Sequence, residues 1–171
     1  MKTKYEKMDV LLTEDDNDDV LTFELAMREM PFTFILRNAE NGDMLFVLLK
    51  ERIPDILFLD ILMPCKDGVT CIIEIRRNQD YNHMPVIMYT AMQSPEYIDE
   101  CYKNGANFYL LKSNSIHELT ENLKKVFSVD WKNFMYYPPK QQFVLSWYYL
   151  PLKFATLDQG FPFIKWNIYY F

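Results

Sequence analysis

The chain has 171 residues, of which 50% are hydrophobic and 25% are charged, a composition typical of one globular domain with an appendage. The net charge of −6 argues against nucleic acid as a direct partner. No apolar run reaches the ~18 residues of a membrane span. Three cysteines without CxxC spacing support neither a disulfide framework nor a zinc site, so a reduced, cytoplasmic setting is expected.

Five short apolar runs recur along the first 127 residues, and each has the length of a buried strand. The runs are Met8–Thr13, Phe32–Asn38, Asp55–Asp60, Pro85–Tyr89 and Phe108–Leu111. The central runs are continuous rather than alternating, which is typical of strands that are covered on both faces of a sheet. They therefore predict a buried, parallel sheet.

Segments with helical spacing of apolar residues separate these runs. Asn17-Asp18-Asp19 suits the N-terminus of the first helix. Ser94-Pro95 opens the fourth with a cap and a proline, and that helix closes at Asn104-Gly105. Ser115–Glu118 is a capping box that opens the fifth. Alternating strands and helices predict an α/β fold with helices on both faces of the sheet.

Residues 128–171 differ in character from the rest of the chain. The chain has 12 tyrosines, 13 phenylalanines and 3 tryptophans, and more than half of these aromatic residues lie after position 127. Prolines interrupt the segment, for example at Pro138-Pro139. We therefore expect a domain over 1–127 and an aromatic C-terminal extension over 128–171, which packs back on the domain, self-associates or is partly disordered.

Polar residues lie at the ends of four of the predicted strands. The first strand ends at Glu14-Asp15-Asp16, the third at Asp60, the fourth at Thr90 and the fifth at Lys112. Because parallel strands end at one edge of a sheet, these side chains are expected to meet there. Clustered carboxylates require a cation, and oxygen ligands favour Mg2+. A metal beside a lysine is also what a transferring phosphoryl group requires.

With these residues in place, the chain resembles the receiver domains of bacterial two-component response regulators over residues ~8–127. The resemblance rests on four segments in this order, 10-VLLTEDD-16, 55-DILFLDILMP-64 with Asp67-Gly68, 86-VIMYTA-91 and 108-FYLLK-112. It implies a flavodoxin-like (βα)5 doubly wound parallel sheet of strand order 2-1-3-4-5.

The resemblance also implies a role for each residue of the acidic group. By this resemblance, Asp60 is expected to be the phosphoacceptor and a metal ligand. Asp15 would bind Mg2+ directly, Glu14 would act through water, and the backbone carbonyl of Leu62 would complete the protein ligands, with Mn2+ as the alternative ion. Asp16 is interpreted as a solvated neighbour rather than a ligand.

Three further residues correspond to the family's phosphoryl-binding and switch positions. Thr90 and Lys112 would bind the phosphoryl oxygens, and Tyr109 would swing inward when Thr90 moves toward the phosphate. The surface of the fourth helix, fifth strand and fifth helix would then change, which a partner reads. Ser113 stands where the family usually has a proline after the lysine, so we expect no cis bond there and a more mobile loop.

These features predict a stand-alone response regulator whose output is protein contact. Neither His83 nor His117 lies in a phosphodonor pattern, so the phosphoryl group is expected from a sensor histidine kinase, a histidine phosphotransfer protein or a small phosphodonor. The downstream protein is unknown, and a homodimer is one alternative for assembly. Leu62 and Met92 flank the site and are apolar, which predicts a long-lived phosphoryl state.

Two other functions are alternatives to this one. A receiver fold could serve as a binding module that needs no phosphorylation, but the complete set of acidic, Thr90 and Lys112 positions argues against it. A phosphatase with an aspartyl nucleophile commonly has a second aspartate two residues later, where this chain has Leu62. Cys65 lies close to Asp60, and a neutral loop thiol is favoured there over a redox role.

Overall fold

The apolar runs of the sequence become strands of one sheet in the computed structural model, which describes residues 7–131, 133 and 135–146. The sheet has six parallel strands within the described residues, which are β1 (Met8–Thr13), β2 (Phe34–Ala39), β3 (Ile56–Leu59), β4 (Val86–Thr90), β5 (Phe108–Leu111) and β6 (Val144–Leu145). The helices are α1 (Asn17–Met27), α2 (Gly42–Glu51), α3 (Gly68–Arg77), α4 (Pro95–Lys103), α5 (Ile116–Phe127) and α6 (Lys140–Phe143), with a 3-10 turn at Gln79–Tyr81.

The predicted strand order is confirmed, because the sheet runs β2-β1-β3-β4-β5-β6 and every neighbouring pair is parallel. The predicted and observed bounds differ by one or two residues at three strands. β3 ends at Leu59 because the Asp60 carboxylate accepts the next two backbone N–H groups and turns the chain out of the strand. β4 begins at Val86 because Pro85 has no N–H to donate.

Helices cover both faces of this sheet, as the alternation of elements predicts. α1 and α5 pack on one face, where the Phe23 ring lies 4.8 Å from that of Phe58. α2, α3 and α4 cover the other face, with Leu45, Ile72 and Ile98 among the buried residues. No helix within the described residues is long and apolar enough to cross a membrane.

The predicted helix starts are confirmed by their caps. The Ser94 hydroxyl accepts the Tyr97 N–H, and the Ser115 hydroxyl accepts the Glu118 N–H. Only this half of the predicted capping box forms, because the Ser115 N–H donates to the Ser113 hydroxyl instead of the Glu118 carboxylate. The cap of α1 is Asp16, whose carboxylate accepts the N–H groups of the two aspartates that open the helix. Asp16 thus has a structural role that the sequence had assigned to its neighbours.

The first part of the C-terminal extension packs back on the domain, which is one of the three arrangements expected for it. β6 pairs with β5, and Tyr109 is the register partner of Val144. The Phe143 side chain just before β6 is fully buried. The sequence had predicted neither α6 nor β6. The aromatic stretches 147–150 and 161–164 lie outside the described residues.

Polar contacts also join the extension to the domain. The Asn107 side-chain amide donates to the Tyr136 carbonyl at 2.8 Å, and its oxygen accepts the Arg76 guanidinium at 3.0 Å. Lys140 pairs with Asp99 of α4 at 2.6 Å, although both side chains are about half exposed. Asn107 is completely buried and therefore ties the extension to the interior of the sheet.

Candidate functional site

The backbone ladder of the sheet positions the polar residues that follow the strands. The Asp60 N–H donates to the Thr13 carbonyl at 3.1 Å, and the Lys112 N–H donates to the Thr90 carbonyl at 2.9 Å. The Glu14 N–H donates to the Ala39 carbonyl at 2.9 Å. Each residue is therefore held by the neighbouring strand at the carboxyl edge of the sheet, as its place in the sequence predicts.

Asp60 lies at the centre of this edge with both carboxylate oxygens engaged. Oδ1 accepts the N–H of Ile61 at 2.6 Å and that of Leu62 at 3.3 Å. Oδ2 accepts the Lys112 ammonium at 2.8 Å. The side chain keeps 6% of its surface exposed, and the neighbouring Leu62 side chain is largely exposed. The carboxylate is thus fixed in orientation, with a narrow opening to solvent.

Lys112 reaches across the edge and pairs with several carboxylates. Its Nζ lies 2.6 Å from Glu14, 2.8 Å from Asp19 and 2.8 Å from Asp60. Burial alone would lower the pKa of this ammonium, but the hydrogen bonds to Asp19, Asp60 and Glu14 outweigh it and raise the pKa above its ordinary value. The ammonium therefore remains charged at neutral pH.

The acidic group has the spacing of a metal site. One carboxylate oxygen from each of Glu14, Asp15 and Asp60 can be chosen so that all three lie within 4.8 Å of one another. Glu14 is buried, and its burial raises the pKa of the carboxyl while the adjacent ammonium opposes the rise. Asp15 is exposed at the rim. An all-oxygen set of this size fits a hard divalent cation.

A glycine permits the close approach of α3 to the site. A Cβ built on Gly68 would lie 2.1 Å from the Asp60 carbonyl oxygen, a distance that no side chain can occupy. The Gly68 N–H instead donates to the Ile61 carbonyl at 2.9 Å. Gly68 therefore shapes the turn after Asp60.

Thr90 and Tyr109 both contact the loop that leads into α4. The Thr90 hydroxyl oxygen accepts the Met92 N–H at 3.3 Å, and the Tyr109 hydroxyl donates to the Met92 carbonyl at 2.9 Å. Tyr109 is fully buried, and its ring centroid lies 6.0 Å from that of Phe143 in the extension. The ring therefore points inward in this structure, and its movement as a switch stays a prediction.

Sequence reasoning missed one member of the site. Asp19 was interpreted only as part of a helix start, yet its carboxylate contacts the Lys112 ammonium, 93 residues away in the chain. Its place in the first turn of α1, directly after the acidic motif, is the signal that could have indicated this contact.

The loop after Lys112 is held by side chains. The Lys112–Ser113 peptide is trans. The Ser113 hydroxyl donates to the Glu118 carboxylate and accepts the Ser115 N–H. These contacts connect the loop to the first turn of α5.

Comparison with known proteins gives consistent matches over this region. A family model described as "Response regulator receiver domain" matches residues 10–124. The Bacillus subtilis protein named "Probable C4-dicarboxylate response regulator DctR" is 33% identical over 122 residues, which is 68% of this chain and 50% of that protein. Chemotaxis protein CheY-3 of Vibrio cholerae is 28% identical over 120 residues, which is 70% of this chain and 92% of CheY-3.

A solved structure matches a somewhat larger share of this chain. The response regulator RPA3017, in red light signaling of R. palustris, is 25% identical, with a TM-score of 0.67 over 77% of this chain and 99% of that one. The chain spans about half the length of the first curated relatives that it matches.

Proposed function

We propose that this chain, which belongs to the response regulator receiver domain family, accepts a phosphoryl group on Asp60 and signals through the resulting change in its surface. One observation carries the proposal. The Asp60 carboxylate lies at the carboxyl edge of the sheet, 2.8 Å from the Lys112 ammonium and within a group of acidic oxygens that suits a divalent cation. A phosphoryl group in transfer needs positive charge of this kind around its peripheral oxygens.

In the proposed reaction, an oxygen of the Asp60 carboxylate attacks the phosphorus of a phosphohistidine on a sensor kinase or a histidine phosphotransfer protein. The new O–P bond forms as the P–N bond to the donor breaks, and the electron pair of that bond remains on the imidazole. The product is an aspartyl acyl phosphate. The Ile61 and Leu62 N–H groups hold the other carboxylate oxygen in place. Lys112 and the Thr90 hydroxyl would then contact the phosphoryl oxygens.

The acidic residues would hold the metal that this chemistry requires. Glu14, Asp15 and Asp60 offer the carboxylates, and the Leu62 carbonyl is proposed as a further ligand. Bound Mg2+, or Mn2+ in its place, would neutralise charge on the transferring group. Lys112 would lose part of its pairing with Glu14 and Asp60 when these carboxylates turn to the cation, and it would become available to the phosphoryl group.

The output is proposed to pass through Tyr109 and the α4–β5–α5 surface to a downstream protein. The contacts of Thr90 and Tyr109 with Met92 support this route, because both residues bind the same loop.

Residues 1–127 would be the receiver domain and 128–171 its extension. The proposed location is the cytoplasm, where Cys65, Cys71 and Cys101 would stay reduced.

The test is incubation of the full chain with acetyl phosphate and Mg2+, followed by intact mass and elution volume. We expect a gain of one phosphoryl group that needs Mg2+, is removed by hydroxylamine and is absent from Asp60→Asn. Asp18→Asn is the matched control, since it removes an equal charge from an exposed residue. Persistence of the modification in Asp60→Asn, or its absence from the wild type, would reject the proposal.

The same samples test two further expectations. A phosphoryl half-life of seconds in the purified protein with Mg2+ would contradict the long-lived state predicted from the apolar residues Leu62 and Met92. A change in elution volume on phosphorylation would indicate that phosphorylation changes self-association. An unchanged elution volume would favour contact with a different protein as the output.

A further inference from the structure

The Lys112 ammonium has carboxylate partners of two kinds. Glu14 and Asp60 belong to the acidic group that suits a cation, whereas Asp19 is outside that group and reaches the ammonium from α1. Asp19 Oδ2 lies 2.8 Å from Nζ, as close as Asp60 Oδ2. The pair is also partly shielded from solvent, because 13% of the Lys112 side chain and 39% of the Asp19 side chain are exposed. Such a pair is held more firmly than one between fully exposed side chains.

The start of α1 is built so that Asp19 faces Lys112. Asp16 Oδ1 accepts the Asp18 N–H at 2.8 Å and the Asp19 N–H at 3.3 Å, which fixes the first turn of the helix. The backbone N–H of Asp16 in turn donates to Glu14 Oε1 at 3.1 Å. The orientation of Asp19 is therefore linked, through the cap, to the acidic group itself.

Cation binding would change the two kinds of partner differently. A divalent ion held by Glu14, Asp15 and Asp60 would neutralise much of the negative charge that these residues offer to the ammonium. The carboxylate of Asp19 would remain as a partner that the cation does not use. Without it, a charged lysine beside a divalent cation would be repelled toward solvent.

Resting on the proposed function, we propose that Asp19 is a positioning residue, which keeps the Lys112 ammonium beside Asp60 when a divalent cation occupies the site. Asp19 acts through Lys112 and does not touch the phosphoryl group. Removal of the Asp19 carboxylate has two opposite effects on the rate of phosphorylation. The rate falls because the ammonium is less well placed, and it rises because less negative charge repels an anionic phosphodonor. The second effect is long-ranged over ~10 Å in moderate salt, so an equal loss of charge at Asp18 reproduces it.

The experiment compares full-length wild type, Asp19→Asn, Asp19→Glu and Asp18→Asn. The rate of phosphorylation by acetyl phosphate is measured at saturating Mg2+, so that differences in metal affinity do not enter. We expect the rate of Asp19→Asn to be about 3- to 10-fold below that of Asp18→Asn, as for the loss of a partly buried charged contact. Asp19→Glu should recover part of the rate, since it keeps a carboxylate on a longer side chain.

A second measurement needs no phosphodonor. The 15Nζ–1H signal of Lys112, identified by its loss in Lys112→Gln, should stay sharp with Mg2+ in wild type and Asp18→Asn. In Asp19→Asn it should broaden with Mg2+, because the ammonium is then released to solvent. Lys112 signals that are equally sharp in all three proteins, or equal phosphorylation rates for the Asp18 and Asp19 variants, would overturn the inference. Failure of the wild type to be phosphorylated would instead reject the proposed function.

Discussion

The burial of Phe143 makes the attachment of the C-terminal extension open to a direct test. The side chain is fully buried, and its ring contacts Tyr102 at a centroid distance of 5.0 Å and Tyr109 at 6.0 Å. Truncation of a buried phenylalanine to alanine costs about 3–5 kcal/mol. Solvent screens the Lys140–Asp99 pair, because both side chains are about half exposed. Phe143 is therefore expected to be the main anchor of residues 140–146.

Phe143→Ala should therefore loosen this segment and lower the stability of the whole domain. A loss of about 3 kcal/mol in local stability corresponds to faster amide exchange by about 100-fold. Hydrogen exchange read by mass spectrometry over 140–146 and over β5 measures the local effect, and urea unfolding measures the global one. Phe143→Leu should retain most of the protection, because it keeps most of the apolar volume.

Gln141→Ala is the matched control, because Gln141 is exposed on the same short helix. This reasoning would be refuted if Phe143→Ala had the same amide exchange rates and the same urea midpoint as Gln141→Ala. If the proposed function holds, phosphorylation should also change exchange over 140–146, since Tyr109 lies between Phe143 and the loop at Met92. By thermodynamic linkage, Phe143→Ala should then shift the equilibrium level of phosphorylation.

Three further predictions concern stability and thiol chemistry. Asn107→Ala removes the partner of buried backbone and guanidinium groups, and should lower the free energy of unfolding by about 2–4 kcal/mol in urea titrations. Gly68→Ala forces a Cβ against the Asp60 carbonyl, and should lower stability by about 1–3 kcal/mol and also weaken Mg2+ binding, read by calorimetry. Burial raises the pKa of the Cys71 and Cys101 thiols to about 12, so both stay protonated at pH 8. A thiol reagent should therefore label only the exposed Cys65 in the native protein, and all three cysteines after unfolding.

Each of these predictions has an outcome that contradicts it. Asn104→Ala changes the same residue type at a partly exposed position just after α4. A loss of stability in Asn107→Ala no larger than in this control would mean that the buried network of Asn107 contributes little. Unchanged stability and Mg2+ affinity in Gly68→Ala would show that the turn can shift freely. Labelling of more than one cysteine in the native protein would mean that a buried thiol opens readily to solvent.

The site could be predicted from the sequence to the extent that it follows from strand ends. Asp60 and Lys112 each come directly after a continuous apolar run, and parallel strands bring their ends to one edge. The ladder bonds from these residues to Thr13 and Thr90 are the direct consequence. Asp19 could not be assigned in the same way, because its position in a helix start has a sufficient local explanation in capping and the helix dipole.

The extension was less predictable for a different reason. β6 has two residues and follows prolines, so it has no period that distinguishes a strand from a loop. It exists because β5 would otherwise be an edge strand with unpaired backbone groups, and because Phe143 has a buried place between α4 and β5. Neither condition can be seen in the local sequence.

Local patterns by themselves determined the five-stranded alternation, the starts of α4 and α5 and the chemistry available at the strand ends, because periodicity and residue type act over a few neighbouring positions. Tertiary structure alone decided which carboxylates hold Lys112 and what encloses Tyr109. Those contacts join residues far apart in the chain, such as Asp19 and Lys112. They form only when packing of the helices on the sheet brings both side chains to one place.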